Sequence, residues 1–461
     1  MITLTYTTLS EICKGEIIRR GKKDSFQGIS IDTRTAEKDM LFLPLKGQRF
    51  DGHHFIREAY EKGISGVLID KDQKLNTDGL DGIYIIEVED TLKALMDISS
   101  YYRRLFDLPC IGVTGSTGKT TTKDMISAVL GNRFKILKNI GNYNNQIGLP
   151  LTIFNLEPQH QMAVLEMGMS SLGEIDSLAN IANPNIGVIT NIGMSHIEHL
   201  GSRENIMRAK MEITNYMNSQ DYLLLNGDDQ FLSQMRNVPT KFIKIFFGLS
   251  KDNDIFPEEI QANKNGGYSI VIHWKGKAIS FNILQPGIHN VYNALASIWI
   301  AFHYNISPEE IQTSLDEFKP SSMRLEIHQF NNIKVINDAY NASPDSMRAA
   351  LAVLNLQKGN KLAILGNILE MGTFSEEGHR MVGADLALTD INNLVTVGEM
   401  AKWIGEEATK HKVDLDWHSF NNNEELIKDL PKILQNIDAI LVKGSRGMRM
   451  EEIVYYLQER S

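Results

Sequence analysis

Residues 110–125 read "CIGVTGSTGKTTTKDM": a short apolar run, a glycine-rich turn and the opening of a helix. An apolar run ending at glycine has the composition of a parallel strand covered on both faces. The turn is close to the phosphate-binding spelling G-x-x-x-x-G-K-[ST], but that spelling needs glycine at 113 and this chain has Val113. The working parts are nevertheless present. Gly115 and Gly118 let the backbone around Ser116 and Thr117 turn its N–H groups onto phosphate oxygens. Lys119 reaches the outer phosphates, and Thr120, followed by Thr121, can ligate magnesium. A helix opening at Lys119 adds the positive end of its dipole. It carries Met125, Ile126, Val129 and Leu130 on one face, with Gly131 expected as its C-cap.

The same pattern continues outward. "MAVLEMG", "IGVITNIG" and "DYLLLNGDD" are further strand candidates separated by helical patterns. That alternation predicts a doubly wound α/β sheet with ligands at the carboxyl ends of its strands. Before it, "YYRRLFDLP" closes a segment holding the β-like runs "GVLID" and "IYIIEV" and helical patterns at 53–62 and 91–104. After it, "EFKPSSM" reads as a linker, and "KLAILG", "NLVTVG" and "DAILVKG" each end at glycine, with helical patterns at 399–410 and 448–458. The expected architecture is α/β in three domains: a small one over 1–107, a central P-loop domain over 108–318 and a Rossmann-like one over 319–461.

Composition agrees. A chain of 461 residues exceeds one ordinary core, and at roughly 100–200 residues per domain it should hold about three. A net charge of −10, from 47 basic and 57 acidic residues, argues against nucleic acid or an anionic membrane as the main partner. Cys13 and Cys110 stand alone, in no disulfide or zinc spacing. Neither a signal-peptide order nor an apolar run of ~18–20 residues is present, so a cytoplasmic monomer without membrane insertion is expected.

A P-loop alone does not choose among kinase, switch and ligase. Three residues narrow it: Glu166 at a strand end in "AVLEMG", His196 after "VITNIGMS", and Lys210 in "AKMEI". Singly, each has a bland structural explanation. In this order, however, the P-loop, "EMG", "NIGMSHIEHLGSRENIMRAK" and "PGIHNVYNALAS" resemble the Mur ligase family, which builds the peptide stem of bacterial peptidoglycan, and "GxTGxxGKTT" is that family's own loop.

The resemblance implies ATP, two magnesium ions and carbon dioxide as cofactors. Residues matching Thr120, Glu166 and His196 hold the metals, and the lysine matching Lys210 becomes a carbamate. Asn290 and Asn293 would contact adenine. "SIDTRTAEKDMLFLPLKGQRFDGH" resembles the family's uridine-nucleotide domain, which makes Thr33, Arg34, Lys46, Gly47 and Asp51 substrate-binding candidates. "GNYNNQIGLPLT" adds Asn144 and Asn145 beside the muramoyl substrate.

The C-terminal motifs resemble the branch that adds the terminal dipeptide. In "MRLEIHQFNNIKVINDAYNASPDSM", Arg324 would contact the γ-phosphate and Asp338 the nucleotide, with Tyr340 and Asn341 on the same loop. "LVKGSRG" adds Ser445 and Arg446 on the dipeptide side. Asn337 and Asn367 stand where that branch usually has aspartate. The "DNPR" motif of the third-residue-adding relative is absent. The function implied is an ATP-dependent ligase joining D-alanyl-D-alanine to UDP-N-acetylmuramoyl-tripeptide through an acyl phosphate, with Lys119, Lys210, His196 and Arg324 as the catalytic set. The alternatives are the third-residue-adding enzyme, a folylpolyglutamate-type ligase, a P-loop kinase or switch, and a non-catalytic binding module.

Overall fold

The computed structural model describes residues 3–47, 50–73, 76, 78–263 and 266–459. Its central sheet has six parallel strands in the order Ile243–Phe247, Tyr222–Asn226, Ile186–Ile189, Cys110–Thr114, Met162–Glu166, Ile136–Lys138. Cys110–Thr114 and Met162–Glu166 are buried along their whole length, as continuous apolar runs require. From Cys110–Thr114 the chain first winds to one side of the sheet and then crosses to the other. The strand that feeds the P-loop is therefore where the winding reverses, and the crevice that opens there is the ligand position of such sheets.

The helix Lys119–Gly131 buries Met125, Ile126, Val129 and Leu130 completely. Its end corrects the expectation for Gly131, which is the last helical residue, while Asn132 caps the helix in a right-handed conformation. Arg133 and Phe134 both donate backbone N–H groups to Leu130 O, so the last turn tightens without the left-handed reversal that would have demanded glycine.

The N-terminal sheet runs Glu16–Arg19, Tyr84–Val88, Gly66–Asp70, Leu41–Phe42, Ile29–Ser30, parallel except for its first strand. Asp90 caps Thr91–Arg104, and Arg103 at the far end donates to Ala182 O and Leu108 O, anchoring this domain on the central one. The C-terminal sheet runs Glu326–Phe330, Ile333–Asp338, Ala439–Lys443, Lys361–Gly366, Asn393–Val397, Asp416–Phe420, with only its first strand antiparallel. Between the two larger sheets the sequence hid an antiparallel three-stranded sheet, Pro257–Ala262, Tyr268–Trp274 and Lys277–Ile283. Among the described residues no helix is long and apolar enough to cross a membrane.

Candidate active site

The unusual loop spelling has a steric cause. Gly115 has φ +149, and a Cβ there would lie 1.8 Å from Thr190 Oγ1. Gly118 has φ +79 and serves as the N-cap of Lys119–Gly131. The loop is braced from the next strand: Thr117 N donates to Asn191 Oδ1 at 3.0 Å, and Asn191 Nδ2 donates to Thr117 Oγ1 at 2.9 Å. Gly115→Ala is therefore expected to cost about 1–3 kcal/mol of stability by overpacking and to weaken nucleotide binding, read by calorimetry with and without ATP. An unchanged Tm and ATP affinity would mean that the loop slides off Thr190 freely.

Glu166 ends its strand beside this loop and is buried. Its Oε2 accepts from Thr120 Oγ1 at 2.7 Å and its Oε1 from Asn144 Nδ2 at 2.7 Å. Asn139, which the sequence reading missed, brackets the same residue, accepting from Glu166 N and donating to Glu166 O, both at 2.9 Å. A carboxylate held at both oxygens, on a backbone that Asn139 clamps, keeps one geometry, and a hydroxyl beside it makes a hard-oxygen pair. Among the described residues no three His, Cys, Asp or Glu side chains converge as a metal cage. That set fits magnesium, which takes one or two protein oxygens and fills its other positions from phosphate and water.

Lys119 donates to Gly115 O at 2.8 Å. Burial holds its pKa below the ordinary lysine value; Glu166 opposes that shift and Arg324 adds to it. Lys210 lies on Arg203–Met211, 1% exposed, and among the described residues no hydrogen bond or ion pair neutralises its amine. Burial first, and Lys119 second, drive its pKa well below the ordinary range, which favours the neutral amine over the cation. His196 follows Ile186–Ile189 at φ +63, half-buried, and its Nδ1 has no aligned hydrogen-bond partner.

The C-terminal domain closes over these groups. Asp338 and Lys443 are paired in register at the carboxyl ends of adjacent strands, and Lys443 Nζ donates to Asp338 Oδ2 at 2.6 Å. Leu325 N donates to Asp338 Oδ1, and the Arg324 guanidinium lies 4.1 Å from the Tyr340 ring centroid. One cavity of about 550 Å³ is lined by residues of both domains. Ser116, Thr117, Gly118, Lys119, Thr120 and Thr121 face it from the loop. Glu166, His196, Asn144 and Asn145 face it from the central domain, and Arg324, Asp338, Tyr340 and Asn341 from the third. Asn290 and Asn293 line it as well, with Asn293 donating to Asn290 Oδ1 and accepting from Thr122 Oγ1. Their neighbour His289 is pushed down to about 4, chiefly by burial, so it stays neutral.

Other candidates stand apart from that cavity. Gly115 and Lys210 are not among the residues that line it. Ser445 accepts the backbone N–H of Leu369, and Arg446 pairs with Glu451 at 3.0 Å. In the N-terminal domain, Thr33 is buried and Arg34 forks onto Asp32. The backbones of Lys46 and Asp51 form an isolated antiparallel β-bridge, with Gly47 exposed beside it, and Asp51 Oδ1 accepts from His53 N. A second cavity of about 220 Å³ shares Asn145, Gly168, Ser170 and Glu174 with the first and reaches Leu92 of the N-terminal domain. Asn337 and Asn367 each use an amide oxygen to accept a backbone N–H, from Ala339 and Ala401 respectively, a task aspartate would share.

Three domains of one family match the chain in order: Mur ligase family, catalytic domain over 25–102; Mur ligase middle domain over 113–301; and Mur ligase, glutamate ligase domain over 323–446. The chain is similar to the UDP-N-acetylmuramoyl-tripeptide–D-alanyl-D-alanine ligase of Bacillus subtilis (strain 168), 39% identical over 100% of this chain and 99% of that protein. It also resembles a crystal structure of MurF from Acinetobacter baumannii, with 31% identity, a TM-score of 0.91 and 99% of each chain covered. MurF ligase from Thermotoga maritima, solved in complex with ADP, gives 27% identity and a TM-score of 0.83 over 94% of this chain and 97% of that one. Identity of this extent along the whole length, with the domains in the same order, means that the chain belongs to the Mur ligase family.

Proposed function

We propose that the chain is an ATP-dependent ligase that joins D-alanyl-D-alanine to the tripeptide of UDP-N-acetylmuramoyl-tripeptide, a step of peptidoglycan precursor synthesis in the cytoplasm. The observation that carries this reading is the convergence of Lys119 and Glu166 from the central domain with Arg324 and Asp338 from the third on one cavity. The segment 1–107 would anchor the uridine diphosphate, 108–318 the ATP, and 319–461 the dipeptide.

A carboxylate is a poor acylating agent, so the tripeptide carboxylate first attacks the γ-phosphorus of ATP and ADP leaves. The dipeptide amine then attacks the acyl phosphate carbonyl, and phosphate departs from the tetrahedral intermediate. The first step brings two anions together, so alignment and charge neutralisation dominate its barrier. Lys119 and Arg324 supply positive charge from opposite walls. Thr120 and Glu166 would hold one magnesium ion and His196 with a Lys210 carbamate a second; bound there, magnesium would screen the phosphate charge. Attack on carbon dioxide requires the free electron pair of a neutral amine, and burial of Lys210 shifts its amine toward that form.

Phosphate release from ATP, measured with UDP-N-acetylmuramoyl-tripeptide in its lysine and diaminopimelate versions, tests the reading. Release that requires D-alanyl-D-alanine, with the dipeptide added to the nucleotide product, is the expected result and fixes the stem preference. Release driven by a single amino acid would move the chain to another step of the family, and none with any acceptor would overturn the ligase.

A further inference from the structure

The third domain grips the loop that carries His196 at two points. Asp345 accepts the backbone N–H of Met194 at 3.2 Å, and it packs so closely that a Cβ on Gly193 would lie 2.2 Å from its Oδ2. Glu370 brings Oε2 to 2.8 Å from His196 Nδ1. Both partners of that second contact are left-handed, His196 at φ +63 and Glu370 at φ +60. Such a conformation costs a non-glycine residue of order 1–3 kcal/mol and persists only where the surroundings impose it.

The surroundings of Glu370 do impose it. Ile368 N donates to Nε2 of the fully buried His379, whose Nδ1 donates to Ser375 O. Leu369 N donates to Ser445 Oγ, and Ser445 N donates to Asn367 O. Asn367 Oδ1 in turn accepts from Ala401 N. Across the seam the turn packs so tightly that a Cβ on Gly372 would lie 2.9 Å from Glu198 Cγ. Asn367 and Ser445, two motif residues that line neither cavity, thus have a shared task. They hold the turn that presents Glu370.

We propose that Glu370 is a positioning residue. Its carboxylate accepts the Nδ1–H of His196, leaves Nε2 as the unprotonated ring nitrogen, and makes the His196 side of the site depend on docking of the third domain. A neutral imidazole carries one proton, and a carboxylate at one nitrogen decides which nitrogen keeps it. The contact is at hydrogen-bond distance without hydrogen-bond alignment, as catalytic contacts often are before substrate tightens them. The kinetic consequence rests on the ligase reading, whereas the effect on the imidazole does not.

The test uses the full chain with Glu370→Ala and Glu370→Gln. Three readouts apply: ligation kinetics, the ring-nitrogen shifts of His196 in histidine-labelled protein, and Mn2+ affinity with a non-hydrolysable ATP analogue. Glu370→Ala should lower kcat and Mn2+ affinity by about 10–100-fold, with little change in KM for ATP, and His196 should lose its single tautomer. Glu370→Gln, which keeps an acceptor oxygen, should fall between. An unchanged tautomer with wild-type kinetics, or a lowered Tm alone, would overturn the proposal. If the unmodified protein does not ligate, the functional reading fails, and the tautomer still decides the role of Glu370.

Discussion

Lys119→Met should leave a folded protein whose ligation is slower by about 10²–10³-fold or more, the loss typical of removing one preorganised charge from a transition state. Its ammonium sits at the start of a helix, on a loop that Asn191 braces by accepting from Ser116 N and Thr117 N, so the charge is held in place before the γ-phosphoryl moves. Stability should not suffer. Burial depresses the Lys119 pKa, so the fold disfavours the cation that the unfolded chain carries at neutral pH, and methionine removes that conflict. The loss should fall mainly on kcat, because the ground-state contacts proposed for Arg324 and the loop backbone would remain. Rapid-quench measurement of phosphate release, beside an ATP titration, separates the two. A variant within tenfold of the parent in kcat would remove Lys119 from the chemistry and leave Arg324 as the main neutralising charge.

Much of the scaffold was written locally. Each strand that positions the site is an apolar run ending at glycine or a polar residue, and each is followed by a helix. That is a signature a short window contains, and the central and third sheets follow it closely. The antiparallel insertion was equally local and was overlooked. "YSIVIHW" and "KAISFNI" alternate in character around Lys275 and Gly276, whose φ of +49 and +78 make the two-residue turn typical of hairpins.

The unreadable part of the site has a different origin. Asn139 matters because it brackets Glu166, Asn191 because it braces Thr117, and Asp345 and Glu370 because they reach across a domain seam. Each role is defined by a partner far away in sequence, and an isolated asparagine or acid looks like any surface residue until the fold brings that partner close. The converse also occurs. Ser445 sits in a recognisable motif, yet its hydroxyl accepts a backbone N–H instead of facing a cavity, so a motif can mark support as well as contact.

Lys210→Met should give a protein that is both more stable and inactive. Lys210 is 1% exposed and has no counterion among the described residues, and its pKa lies well below the lysine value. Between the lowered folded value and the ordinary unfolded value of about 10.4 the unfolded chain binds the extra proton. Stability must therefore rise with pH across that window, and the residue opposes folding below it. An apolar side chain of similar length removes the opposition. A gain of about 1–2 kcal/mol at pH 7 is expected, in the range of single stabilising substitutions, and it should shrink as pH approaches 10. Calorimetry in carbon dioxide-depleted buffer at the two pH values reads this directly. Turnover should fall about 10²–10³-fold or more with the loss of the anion proposed beside the second metal, and adding bicarbonate should restore the parent protein but not the variant. Equal Tm values for parent and variant at both pH values would mean that Lys210 keeps its proton in the fold. A protonated amine has no electron pair for carbon dioxide, so that single result would remove the carbamate from the mechanism.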